Sequence, residues 1–235
     1  MELIKNVWTK EDGDEFIKYL RTFEKAERVE WTKNLLKTDY DVLAVPAPKL
    51  KVMAKEIAKG NFISFLDLKL DAYYENTAIN ALLIDKIKDF NTYADYLRRY
   101  AEIADNWATC DVLPFKNTKR DKEKLFELSH EFIKSPKPFM RRIGVDMLFT
   151  YTEDASYNER VRDLIKTLKS DGEYYVNMCV AWLVAEYVVK QRDYGIYMLA
   201  SGILNDFTIN KAISKCRDSY RVSQDDKEFL LRYKV

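Results

Sequence analysis

Glu173–Lys190 reads EYYVNMCVAWLVAEYVVK, and this stretch decides the fold. Its apolar residues fall on nearly every side of a helix instead of along one stripe. Such a helix is buried by neighbours on more than one side. Asn177 and Glu186 interrupt it. A lone carboxylate is costly in such surroundings, so Glu186 needs a partner wherever the folded chain encloses it.

Outward from this segment, apolar residues recur at helical spacing almost everywhere. Phe16, Tyr19, Leu20 and Phe23 form one stripe, and Leu50, Met53 and Ile57 another. The second starts just after Pro48, a residue suited to a first helical turn. Leu83, Ile87 and Phe90 form a third stripe. Phe139, Ile143 and Leu148 belong to a helix opening near Ser135–Pro136. Thr9 with Asp12, Ser170 with Glu173, and Ser223 with Asp226 have the spacing of capping boxes, the Glu form being the standard one. Alternating runs are nearly absent. The reading is all-α, about a dozen helices joined by short polar loops, with helical pairs recurring every ~35–45 residues in the manner of a HEAT-like solenoid, an α–α superhelix. Residues 1–235 are expected to form a single HEAT-like repeat domain. A globular helical bundle is the structural alternative.

Composition excludes several function classes. With 6 Gly and 5 Pro, there is little material for hairpin turns, and neither a G-x-G-x-x-G run nor a Walker A motif occurs. His130 is the single histidine, which excludes a multi-His zinc site. Cys110, Cys179 and Cys216 lie far apart and form no C-x-x-C pair. Sparse thiols and an opening Met1-Glu2-Leu3-Ile4-Lys5 without an apolar signal core point to the cytoplasm. No apolar run approaches the ~18 residues of a membrane span. The net charge of +1 argues neither for nor against nucleic acid, so any affinity for it must come from a clustered basic face.

Two segments carry candidate chemistry. In Asn106-Trp107-Ala108-Thr109-Cys110-Asp111, an indole and a carboxylate stand at i and i+4 and project from one helix face. A flat aromatic surface beside one negative charge suits a flat cationic ligand. The bland alternatives are a core position for Trp107 and a capping or pairing role for Asp111. Cys110 lacks a positioned base and is a poor nucleophile. The second segment is Lys116, Lys119, Arg120, Lys122 and Lys124, following the break at Pro114. It reads as a solvated connector or as a phosphate contact. Downstream, Arg142 has an i+4 partner in Asp146, and Trp182 lies within the most apolar helix, where packing is the default.

With Trp107, Asp111, Arg142 and Trp182 in view, the chain resembles the AlkD-like family of alkylpurine DNA glycosylases, which are built from HEAT-like repeats. Besides the 106–111 segment, the matching stretches are Met140-Arg141-Arg142-Ile143-Gly144-Val145 and Val180-Ala181-Trp182-Leu183. Leu43–Leu50 looks like that family's early helix start, and Lys211–Tyr220 like its last basic helix. Asn106 stands where the first of two adjacent tryptophans is common.

The resemblance implies hydrolysis of the N-glycosidic bond to a cationic alkylated purine, such as 3-methyladenine or 7-methylguanine, with the base left in the stack. Asp111 would stabilise charge developing on the deoxyribose and position the attacking water, assistance commonly worth ~10²–10³ in rate. Trp107 and Trp182 would flank the lesion nucleotide. Arg142 would hold a nearby phosphate, and Arg98, Arg99, Lys119, Arg141, Lys211, Lys215 and Arg217 are the further candidates for phosphate contacts. A cationic base leaves easily, so one carboxylate suffices and no metal or organic cofactor is called for. The expected partner of this monomer is duplex DNA carrying alkylated purines, not a membrane. Two other functions compete: a catalytically inactive relative that binds damaged or branched DNA, and a HEAT scaffold for proteins.

Overall fold

In a computed structural model of the protein, residues 1–115 and 118–235 are described. Lys116, one member of the basic run, lies outside them. The described residues form fourteen α-helices and no strand, only one isolated bridge between Asp41 and Tyr73. The chain is therefore all-helical, consistent with an α-helical repeat solenoid. It has two compact units, Met1–Pro114 and Phe115–Val235.

The first unit holds α1 (Lys10–Arg21), α2 (Ala26–Leu36), α3 (Ala47–Ile57), α4 (Phe62–Asp67), α5 (Tyr74–Ile84), α6 (Phe90–Ile103) and α7 (Trp107–Asp111). The capping box at Thr9 forms: Thr9 Oγ1 accepts from the Asp12 N–H at 3.2 Å, and Asp12 Oδ2 accepts from the Thr9 N–H at 2.8 Å. Pro48 lies in the first turn of α3. The third stripe breaks, because α5 stops at Ile84 and α6 starts at Phe90. Asp89 causes the restart by accepting from the Thr92 N–H at 2.8 Å, while Ile87 stays buried in the turn.

Trp8, Phe16 and Phe65 interlock edge to face and seal the N-terminal segment onto α1 and α4. Glu75, 1% exposed, braces the strand-like approach to α3. Its carboxylate accepts from the Leu43 N–H and, at 3.1 Å, from the Val45 N–H. Between them Ala44 takes a left-handed φ of 56°. Burial raises the Glu75 pKa, opposed by these backbone donors.

The second unit holds α8 (Lys122–Ile133), α9 (Pro138–Met147), α10 (Asn158–Lys166), α11 (Tyr174–Lys190), α12 (Arg192–Ala200), α13 (Asp206–Asp218) and α14 (Gln224–Phe229). The expected α9 stripe is split. The helix opens at Pro138, and Leu148 begins a 3₁₀ turn instead of continuing it.

The apolar segment 173–190 becomes α11, which packs against α9, α12 and α13. That is the multi-sided burial its pattern predicts. Gly195 of α12 is needed here, since a Cβ would collide with the Val188 backbone of α11. Both polar interruptions are satisfied. Asn177 donates to the Asp171 and Glu173 carbonyls at 2.7 and 3.2 Å and accepts from Asn205 and Thr208. Glu186 receives two hydrogen bonds from Arg221, one of them Nη1 to Oε2 at 3.1 Å.

The α11 cap differs from expectation. Glu173 is the N-cap residue, and Asp171, not Ser170, accepts its N–H at 2.9 Å. Ser223 does cap α14, accepting from the Asp226 N–H at 3.1 Å. Among the described residues no helix is long and apolar enough to cross a membrane.

Candidate nucleic-acid interface

Asn106 decides how α7 starts. Its side chain is fully buried, and Oδ1 accepts from the N–H groups of Ala108 and Thr109 at 2.9 and 3.1 Å. Asn is among the best residues for this task, and an indole has no acceptor to offer. Nδ2 in turn donates to Asp105 Oδ1 at 2.6 Å. Asp105 Oδ2 accepts from the Thr38 hydroxyl and the Asp39 N–H at 2.6 and 2.8 Å. The start of α7 is thereby fastened to the end of α2.

Trp107 is half-buried, and its Nε1–H donates to the Leu35 carbonyl at 3.3 Å. Asp111 is exposed at the other end of α7. A carboxylate in a last helical turn faces the negative end of the helix dipole, an unfavourable placement as far as that dipole is concerned. The capping reading is also answered, because α8 is capped by Asp121, which accepts from the Lys124 N–H at 3.0 Å. Cys110 is fully buried and donates to the Asn106 carbonyl, which makes it inert packing. Behind α7, Tyr100 donates to the Thr109 carbonyl at 2.7 Å, and burial pushes its hydroxyl pKa up. Burial, and after it the charges of Glu75, Asp105 and Asp111, push the Tyr74 hydroxyl pKa up to about 12.

Two neighbours of this site escaped the sequence reading. Tyr74 is one. The other is Trp31, which stands 64% exposed on α2 with Leu35 one turn further, itself 48% exposed. The signal was available, since tryptophan and leucine at i and i+4 share a helix face. Exposed together, they form an apolar patch beside the Trp107 contact.

The remaining candidates lie in the second unit. Trp182 on α11 is half-buried, with its ring 4.7 Å from that of Phe149. Lys215 Nζ stands 6.0 Å from the Trp182 ring, and Lys211 Nζ stands 5.7 Å from the Phe207 ring. Lys211 and Lys215 are one turn apart on α13, and a groove of about 290 Å³ runs past Trp182, Lys215 and Arg221. Arg217 belongs to a different groove, with Asp218 and Lys227. Lys119 is exposed.

The adjacent arginines of α9 are structural anchors in this arrangement. Arg141 spends Nε and Nη2 on Asp171, at 2.7 and 3.2 Å, and Nη1 on the Ser135 and Pro136 carbonyls. Arg142 is 5% exposed, and its Nη1 donates to the Tyr175 carbonyl at 2.7 Å. Asp146, one turn on, is buried and accepts from Cys179 Sγ at 2.9 Å. In the first unit, Arg98 pairs with Asp95 at 3.0 Å, and Arg99 lies over Tyr96 and near Asp67.

The sequence matches the family model described as DNA alkylation repair enzyme over residues 16–215. The chain belongs to the DNA alkylation repair enzyme family. A solved structure entitled "Predicted DNA alkylation repair enzyme from Enterococcus faecalis" is similar to it, with a TM-score of 0.63 at 12% identity, covering 83% of this chain and 98% of that one. At that identity the likeness speaks to the fold alone. No curated protein matches the sequence.

Proposed function

We propose that the protein is an alkylpurine DNA N-glycosylase of the AlkD-like kind, its helices forming HEAT-like repeats that follow duplex DNA. The observation that carries this reading is the exposed Asp111 at the end of α7, one turn from the half-buried Trp107, in a chain of a DNA alkylation repair family. Water attacks C1′ as the bond from C1′ to the base nitrogen breaks. The bonding electrons leave with the base and neutralise its positive charge, and the proton of the water passes to the Asp111 carboxylate. The carboxylate also opposes the positive charge that builds on the sugar. A cationic leaving group needs little protonation, so the paired carboxylates of ordinary glycoside hydrolysis are not required.

Trp107 lines the lesion nucleotide, and Trp31 supplies the aromatic surface that Asn106 does not. In the second unit, Trp182 packs on the sugar–phosphate chain, while Lys211, Lys215, Arg217 and Lys119 neutralise phosphates without reading sequence. Arg141 and Arg142 act through the backbone, holding α9 to the start of α11, which bears Trp182.

The inactive DNA-binding relative is the second reading, favoured by the cap at position 106 where an indole is common. Release of methylated purines from duplex DNA separates the two. The glycosylase liberates 3-methyladenine or 7-methylguanine, and Asp111→Asn stops release without loss of DNA binding. A protein that binds duplex and releases no base is the inactive relative.

A further inference from the structure

Two aromatic rings of the second unit stand in solvent and have no part in the proposed chemistry. Tyr174, the first residue of α11, is 51% exposed, and Phe207, near the start of α13, is 37% exposed. Their ring centroids lie 5.6 Å apart, edge to face, and Tyr174 meets Tyr175 in the same manner at 5.1 Å. Other groups join the two helices. The buried Thr208 hydroxyl, next to Phe207 in the chain, donates to the buried Asn177 Oδ1 at 3.1 Å.

α11 and α13 run in the same direction, since Tyr174 meets Phe207 at their starts and Trp182 meets Lys215 two turns on. Lys211 lies between, its Nζ 5.7 Å from the Phe207 ring. The face therefore carries an aromatic pair, a cation, and then another aromatic with its own cation, over about 12 Å. Stacking surfaces that alternate with positive charge suit an unpaired nucleic-acid strand, whose bases expose their π faces and whose phosphates need cations. Paired bases keep those faces covered, so stacking on Tyr174 requires a strand that has left the duplex.

Rings that meet edge to face leave a corner, where a third ring can lie flat on one with its edge toward the other. The chain neighbours of the pair, Glu173 and Asp206, are exposed carboxylates. They repel phosphate, so the rings receive the base and Lys211 the phosphate. We propose that Tyr174 and Phe207 form a docking site for an unpaired nucleotide of DNA, so that a duplex carrying a single-stranded tail binds more tightly than a blunt one. This site rests on the proposed DNA binding and not on base release.

The test is fluorescence anisotropy of the full chain with an unmethylated duplex that is blunt, carries a short adenine tail, or carries an equally long abasic tail, at the 3′ or the 5′ end. The abasic tail has the same phosphates and no base. At one of the two ends the adenine tail should bind roughly tenfold more tightly than the abasic tail, the effect of one stacked base. Tyr174→Ala and Phe207→Ala should each remove most of that advantage and leave blunt-duplex affinity unchanged, whereas Tyr174→Phe should retain it. The comparison of the two tails in the natural chain decides the matter if a variant fails to fold. Equal binding of the two tails at both ends, an adenine advantage that survives both alanine variants, or no binding of tailed DNA would overturn the proposal. Base release from a blunt methylated duplex is read separately. Release without a tail preference sinks this site alone, and a tail preference without release sinks the glycosylase reading alone.

Discussion

The indole N–H of Trp107 donates to the carbonyl of Leu35 at 3.3 Å, so the short helix bearing Asp111 is tied by its first residue to the last turn of α2. Trp31 stands exposed one turn before that carbonyl. Two indoles from different helices are thus linked through one residue, one of them half-buried and bonded, the other facing solvent.

Their substitutions should separate. Trp31→Ala removes an exposed ring and should leave the melting temperature nearly unchanged, because surface changes are usually within about 0.5 kcal/mol. It should weaken duplex binding by roughly five- to tenfold, on the scale of an aromatic contact worth ~1 kcal/mol or more. Trp107→Phe keeps a ring but loses the donor to Leu35, and should cost about 0.5–1.5 kcal/mol in stability. Thermal melts and fluorescence anisotropy on one duplex read both. An affinity untouched by Trp31→Ala removes that residue from the interface.

The basic residues of the second unit should also divide. Lys211→Gln and Lys215→Gln should each lower the slope of log affinity against log salt by about 1, the mark of one lost phosphate contact. Arg141→Ala should leave that slope alone and lower stability, because all three of its guanidinium nitrogens are committed inside the protein. A salt titration of all three variants checks this, and an Arg141→Ala slope reduced like that of Lys215→Gln would return Arg141 to the DNA.

Much of this arrangement was legible in the sequence, and the rest was hidden for identifiable reasons. The 173–190 run declared a helix buried on several sides, and its two polar positions announced that partners were needed. Which partners could not be read, because Arg221 and Thr208 come from later elements. The Leu83–Ile87–Phe90 stripe misled because Ile87 is buried without being helical. The capping chemistry of Asp89 was the stronger signal there. Arg142 has the look of a phosphate ligand in sequence, yet 5% exposure and a bond to the Tyr175 carbonyl are tertiary facts. Asn106 occupies a position where an indole is common in the family the chain resembles, and the fold gives it a task only a short side-chain acceptor performs well.

The pairing of Glu186 with Arg221 predicts an asymmetric response. Arg221→Ala leaves a carboxylate that is 7% exposed without its guanidinium. The cost should be about 1–3 kcal/mol, below the ~3–5 kcal/mol of a fully buried pair because the Arg221 side chain is itself 41% exposed. Adding Glu186→Leu to that variant should recover most of the loss, since both charges are then gone. Denaturant melts of the single and double variants test the order, and a double variant less stable than Arg221→Ala would contradict it.

Acid should weaken the start of α1 through Asp12. The Lys5 ammonium, bonded to this carboxylate, and the Thr9 N–H hold its pKa at about 2, against about 3.9 for an unperturbed aspartate. Between these values the unfolded chain binds more protons than the folded one, so stability rises with pH across that window. The contribution is complete above about pH 4 and fades as pH falls through about 2. Asp12→Ala should therefore melt below the natural chain at neutral pH, and the gap should narrow as pH drops from about 4 toward 2. Melting temperatures of both chains across this range are the measurement. A gap that stays constant down to the lowest pH would mean that Asp12 acts through its shape, not its charge.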